Sequence, residues 1–331
     1  MSDYLIETSS SWVVDRLSEA GVLLPDWLFS GIGNFVSCLL LRRTVNLMEL
    51  AENLPRQIAS ADSRYQYLLR LLKEPRLDEF AVMKTLAKTL FLQATIHDKT
   101  AIVMFDQSQI RDGVQLLMAS IRVGERAIPL LWEVIETGGA IGWNVQQKQL
   151  EKLTQIIPIG TKILFLADRF YGTSAVIGFC QKWGWQYRIR LKDNLILQHK
   201  DGEITTGEAA KAKITSLIGA ELNETGVKTN IGILHETGHK EAWIIAMECT
   251  PNRDRVLDYG MRWGIECMFS DTKSRGFNIT KTKLLRLDRI SKLILMITIA
   301  MMTAITLAKN ELLQSDKINN AKKNTAVPAH Y

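Results

Sequence analysis

Two aspartates close apolar runs in this chain: Asp106 ends AIVMFD (101–106) and Asp168 ends TKILFLAD (161–168). Uninterrupted apolar runs of that length read as buried central strands. If the two strands are neighbours, both carboxylates emerge at one edge of the sheet, where open α/β sheets form their sites. Either aspartate taken alone is better read as the start of a turn. A third constellation lies in YGMRWGIECMFSDTK, where Arg262, Glu266 and Lys273 follow Tyr259 at offsets of 3, 7 and 14. On a continuous helix turning roughly 100° per residue, these four side chains fall within about 60° of one another. Leu257, Met261, Ile265 and Met268 form a separate apolar face. A solvated polar face explains the charges but not the tyrosine among them. A glycosidase built on two carboxylates gives no reason for basic and aromatic groups beside Glu266.

Tyr-x2-Arg-x3-Glu-x6-Lys resembles the signature of the insertion-sequence-four family of DDE transposases, and all four positions match. The family's first aspartate follows an apolar strand, as in IVMFDQS. Its second often sits in an Ala-Asp-Arg context, as in LADRF, and the acidic residues here are 62 and 98 residues apart. The larger gap resembles the β-rich insertion of bacterial members. The likeness covers about residues 40 to 310. It implies a ribonuclease-H-like core in which Asp106, Asp168 and Glu266 are catalytic and hold two Mg²⁺ ions, with Mn²⁺ also supporting activity. Hard cations prefer such oxygen donors, and a metal pair suits in-line phosphodiester displacement. The resemblance further implies DNA contacts by Tyr259, Arg262, Lys273 and Arg169, and a flipped base stacked on Trp243. Trp243 is equally readable as a core residue; Arg262 as no more than the partner of Glu266 one turn on is the lesser alternative.

The elements that must position these groups follow from periodicity. Residues 1 to 95 read as a helical N-terminal domain, with TVNLMELAENL and SRYQYLLRLLK amphipathic and Ser63 a cap for the second. Arg42, Arg43, Arg56, Arg64 and Arg70 around these helices suit DNA-end binding or a solvated bundle equally. From 96 to 192 the order is three strands, helix, strand, helix, strand, a mixed α/β sheet flanked by helices. Arg111–Asp112–Gly113 and Gly124–Glu125–Arg126 read as hairpin turns, and Gly184 as a helix stop. Residues 193–250 read as a β-rich insertion. Residues 251–312 complete the core with the signature helix and an apolar C-terminal helix, and 313–331 read as a disordered tail.

The net charge of +6 on 331 residues permits a polyanionic partner without demanding one. Nine Lys/Arg against five Asp/Glu lie between Arg253 and Arg289, on and after the signature segment. Four scattered cysteines make no CxxC pair, so reduced thiols are expected. No signal sequence is visible, and Leu293–Ala308 is 16 uncharged residues, short for a bilayer. These features predict a cytoplasmic, nucleoid-associated protein without a membrane partner. His235-Glu236-Thr237-Gly238-His239 matches H-E-x-x-H literally, but Gly238 and flanking strand patterns make it a hairpin turn. His97, His199 and His330 are assigned no role. The expected activity is cleavage at terminal inverted repeats and strand transfer into target DNA, by a homodimer on synapsed ends. The alternative is a transposase-derived DNA-binding protein that does not cut.

Overall fold

The computed structural model describes residues 2–54, 60–96, 100–199, 202–236, 238 and 241–325, with side chains described between 7 and 308. Arg56, His97, Thr237, His239 and His330 of the sequence reading lie outside the described residues. The chain divides into two units. One gathers Met1–Glu19, Leu24–Leu77 and Lys292–Tyr331; the other comprises Ala20–Leu23 and Asp78–Ser291.

The first unit opens with α1 (Ser2–Glu19), α2 (Asp26–Arg42), α3 (Leu47–Ala51) and α4 (Ala61–Lys73). Helix α2 buries Leu28, Ile32, Phe35, Val36 and Leu39, the three- and four-residue spacing of a core-facing stripe. The cap of α4 is Ser60 and not Ser63. The Ser60 backbone is extended, and its hydroxyl accepts from the Ser63 N–H at 3.1 Å, which places Ser63 in the first helical turn. Arg64 ties α4 to α3 by donating to the Ala51 carbonyl at 2.7 Å.

The second unit begins with α5 (Glu79–Ala94), capped by Asp78, whose carboxylate accepts from the Ala81 N–H. The sequence reading put α5 in the N-terminal domain. Its buried face (Val82, Met83, Leu86, Leu90, Phe91) instead packs on the sheet, so the compact boundary falls after Leu77. There follow β1 (Thr100–Arg111), β2 (Val114–Val123), β3 (Arg126–Glu136), α6 (Trp143–Thr154), β4 (Lys162–Ala167), α7 (Ser174–Lys182) and β5 (Gln186–Arg190). This is the strand and helix order read from the sequence. Gly113 and Gly124 turn the two hairpins at φ +71° and +63°, conformations that a Cβ disfavours.

Residues 193–250 supply β6 (Ile196–His199), β7 (Gly202–Thr205), α8 (Thr206–Lys211), β8 (Ser216–Leu222), β9 (Lys228–Leu234) and β10 (Trp243–Met247). These strands extend the same sheet, in the order β3-β2-β1-β4-β5-β10-β9-β8-β6-β7. Strands β1, β4 and β5 run parallel, and β10 joins β5 antiparallel. The H-E-x-x-H stretch spans the antiparallel β9–β10 connection, where His235 bonds the Ala210 carbonyl and Glu236 pairs with Arg253.

After β10, the segment read as one continuous signature helix is broken into α9 (Arg253–Leu257), a 3-10 turn (Asp258–Arg262) and α10 (Trp263–Thr272). One buried arginine ties this break to the sheet. Arg188 on β5 is 4 % exposed and reaches Glu248 at 3.1 Å and Asp258 at 3.2 Å, and also donates to the Arg255 and Tyr187 carbonyls. The final helix, α11 (Leu287–Thr325), is longer than the 16-residue apolar run suggested. Leu287–Ala308 is long and apolar enough to cross a membrane, yet 61 % of that window is buried inside the protein. The tail expected to be disordered from 313 stays helical through Thr325, since Gly and Pro are absent until Pro328.

Candidate active site

Strand register brings the two aspartates together. Strand β1 pairs in parallel with β4 from Thr100↔Lys162 to Phe105↔Ala167, so Asp106 and Asp168 occupy the next step of the same ladder. Neighbouring strands lie about 4.8 Å apart, and matched positions point to one face. Asp168 leaves the sheet there, as expected. Asp106 does not end its strand, because β1 continues to Arg111 as one arm of the hairpin with β2. The backbone holds both carboxylates: Asp106 accepts from the Gln107 N–H at 2.8 Å and Asp168 from the Phe170 N–H at 2.9 Å.

Glu266 arrives from α10, which packs across β1 and β3, with Gly264 beside Met104 and Ala127. Arg262 gathers the acids. Its Nη1 donates to Asp106 Oδ2 at 2.9 Å, its Nη2 to Glu266 Oε1, and its Nε to the Tyr259 hydroxyl at 3.0 Å. In a 3-10 turn residues i and i+3 eclipse, which is why Tyr259 stands in line with Arg262. Asp106, Asp168, Arg262, Glu266 and Lys273 all line one cavity of about 480 Å³, with Phe170 on its wall.

The charges in this cavity do not balance. Burial, then the Asp168 charge, push the Asp106 carboxyl up to about 7 against the pull of Arg262. Asp168 is also raised, chiefly by burial, although the Phe170 N–H and Arg262 oppose the shift. Burial works against the charge of Arg262, but Tyr259, Asp106, Glu266 and Asp168 outweigh it and hold the guanidinium protonated. Lys273, half-buried past the end of α10, is lowered by desolvation.

Tyr259 does not sit on an exposed helical stripe. Tyr259 is 6 % exposed and packs with Ile245, Met247 and Val256, so its ring is core. Trp243, half-buried, meets it edge-on at 5.4 Å. The break into a 3-10 turn is what moves Tyr259 off the polar face. Arg169 is exposed and pairs with Glu241 at 3.5 Å. Sequence reasoning missed Tyr171, whose fully buried ring meets Phe105 edge-on at 5.0 Å. Its hydroxyl has no hydrogen-bond partner among the described residues, and burial with the Asp106 and Asp168 charges keeps it protonated. Its nearness to LADRF was the available signal.

The donor set is all hard oxygen, and Asp106 and Asp168 stay under-neutralised with one guanidinium between them. That chemistry fits a hard divalent cation. Among the described residues no three Asp, Glu, His or Cys groups form a ready metal cage, and Glu266 is drawn onto Arg262.

Residues 144–303, just under half of the chain, match the family model described as the transposase DDE domain. The matched span includes Asp168, Arg262, Glu266 and Lys273 and begins after Asp106. It supports a DDE transposase, within a mixed α/β fold whose ten-stranded sheet is consistent with that class. Comparison with curated proteins finds no match.

Proposed function

We propose that the chain is an insertion-sequence-four-type DDE transposase with a ribonuclease-H-like core. It would cut DNA at the terminal inverted repeats of its element and join the ends to target DNA. One observation carries the reading: Asp106 and Asp168 each follow the last matched pair of one parallel ladder, Phe105 and Ala167, and Arg262 links Asp106 to Glu266 across the cavity. The matched transposase domain supports it.

Asp106, Asp168 and Glu266 would hold divalent metal, Mg²⁺ or Mn²⁺ and two ions in the full form. Such ions activate an attacking water or 3′-OH and stabilise the leaving oxygen. The rest falls to the chain. Arg262 neutralises the carboxylates before DNA arrives, and is the group free to turn to a phosphate once they acquire other positive charge. Tyr259 positions Arg262 through its hydroxyl and does not itself reach the cavity. Lys273, partly desolvated, offers a cation to a backbone phosphate at the cavity rim. Trp243 keeps its proposed role in base stacking only if it leaves Tyr259. Two ends held together call for a homodimer, and a DNA partner places the protein on the nucleoid.

A DNA-binding protein that no longer cuts has one observation in its favour, the Arg262 guanidinium standing among the acids. The discriminating experiment is cleavage of a duplex carrying the element's terminal repeats. Strand nicking by the wild type with Mg²⁺ or Mn²⁺, lost in Glu266→Ala while end binding persists, supports the transposase. Undiminished cleavage by Glu266→Ala would remove Glu266 from the site, and binding without cleavage by the wild type favours the second reading.

A further inference from the structure

Beside the carboxylate cavity the charge ratio reverses. Arg169 follows Asp168 directly, and Arg190 ends the neighbouring strand β5; both guanidinia converge on Oε2 of Glu241, at 3.5 and 3.1 Å. Two arginines thus share one carboxylate oxygen, leaving a surplus positive charge. Glu241 precedes β10 and is 66 % exposed, with Arg169 52 % exposed. Ion pairs this open to water are weak and exchange readily. A phosphodiester carries the same single charge and presents two oxygens, which guanidinium forks grip in the geometry they use for carboxylates.

We propose that Arg169 and Arg190 form a binding fork for one DNA phosphate, and that Glu241 occupies this fork as an internal stand-in until DNA displaces it. The inference rests on the transposase reading and adds to it a phosphate site one residue from Asp168, together with a built-in competitor that weakens binding of DNA in general. Glu241 contributes through exchange: it keeps the two arginines ordered and partly neutralised, and a backbone phosphate entering the fork releases the glutamate to water.

The test is fluorescence anisotropy of the full chain with a labelled 30-base-pair duplex of arbitrary sequence, in EDTA, across a series of salt concentrations. Phosphate contacts carry no sequence information, so an arbitrary duplex suffices. Glu241→Gln is expected to tighten binding by about three- to tenfold and to steepen the slope of log K against log salt by roughly one. Adding Arg190→Gln should cancel that gain. Glu224→Gln, the same charge change in an exposed turn, should leave affinity nearly unchanged. The proposal is overturned if Glu241→Gln binds like the wild type, if its gain survives Arg190→Gln, or if Glu224→Gln matches it. A wild type that binds no duplex at low salt overturns the transposase reading and this inference together. A wild type that binds and cleaves beside an inert Glu241→Gln overturns only the inference.

Discussion

Two arginine clusters in this protein share components and differ in balance. Around Arg188, one buried guanidinium meets two carboxylates, Glu248 and Asp258, and fills its remaining donors with the Arg255 and Tyr187 carbonyls. Around Arg262, one guanidinium faces Asp106, Asp168 and Glu266, bonding only two of them and the Tyr259 hydroxyl. The first cluster is a satisfied lock. It joins β5, the end of β10 and the 3-10 turn, and thereby sets where the segment carrying Arg262 and Glu266 begins. The second retains excess negative charge in a cavity open to solvent. Buried polar networks hold a fold when every member is paired, whereas a site that must take up a cation benefits from a deficit of positive charge.

The contrast breaks most visibly at Arg188. Arg188→Ala takes the guanidinium from two carboxylates, of which Glu248 keeps the Tyr187 N–H, and from two carbonyls, and should cost about 3 kcal/mol in denaturant unfolding. A loss below about 1 kcal/mol would mean that the cluster is not a lock.

Asp106 offers the next effect, with opposite sign. Its folded pKa, near 7, lies above the ordinary carboxylate value of 3.8. Between those values the native state binds more protons than the unfolded chain, so its contribution to stability is full below about pH 4 and is lost as pH rises through 7. Asp106→Asn should therefore gain on the wild type in Tm by several degrees between pH 5 and pH 8. Parallel Tm curves for the two proteins would contradict the charge deficit.

A smaller change sharpens the role of the turn. Tyr259→Phe removes one hydrogen bond to Arg262 and keeps the packed ring. It should lower end cleavage by about three- to tenfold with Tm nearly unchanged. If Tyr259 gripped DNA directly, the variant would instead lose affinity for the duplex. The smallest effect is expected at the exposed Arg126–Asp271 pair, where Asp271→Asn should shift stability by no more than about 0.5 kcal/mol.

How much of this was legible in the sequence depends on the range of the interaction. The apolar runs ending at Asp106 and Asp168 announced two buried strands, because a strand covered on both faces has no polar alternative; that they are neighbours came from the sheet order. The alternation of strands and helices through residue 190 was readable for the same reason. Tyr259 was misplaced because a helical wheel assumes roughly 100° per residue, and a 3-10 turn advances by about 120°. The break has no local Pro or turn pair to mark it. The turn is held from 70 residues away by Arg188, which pairs with Asp258 and is a strand arginine whose burial only the tertiary fold reveals. Asp106 was taken as a strand end because the hairpin continuation, QSQIR, is polar enough to look like a loop. The α5 boundary was missed because an amphipathic stripe states that a helix packs, without naming its partner.

The central claim is that Asp106 and Asp168 form a cation-seeking pair, and thermal unfolding with and without Mn²⁺ tests it most directly. At saturating metal the wild type should gain stability, about 2.7 kcal/mol at a hundredfold excess over Kd, and the Asp106→Asn/Asp168→Asn double variant should gain none. An equal shift in both proteins, or no shift in the wild type, would contradict the account.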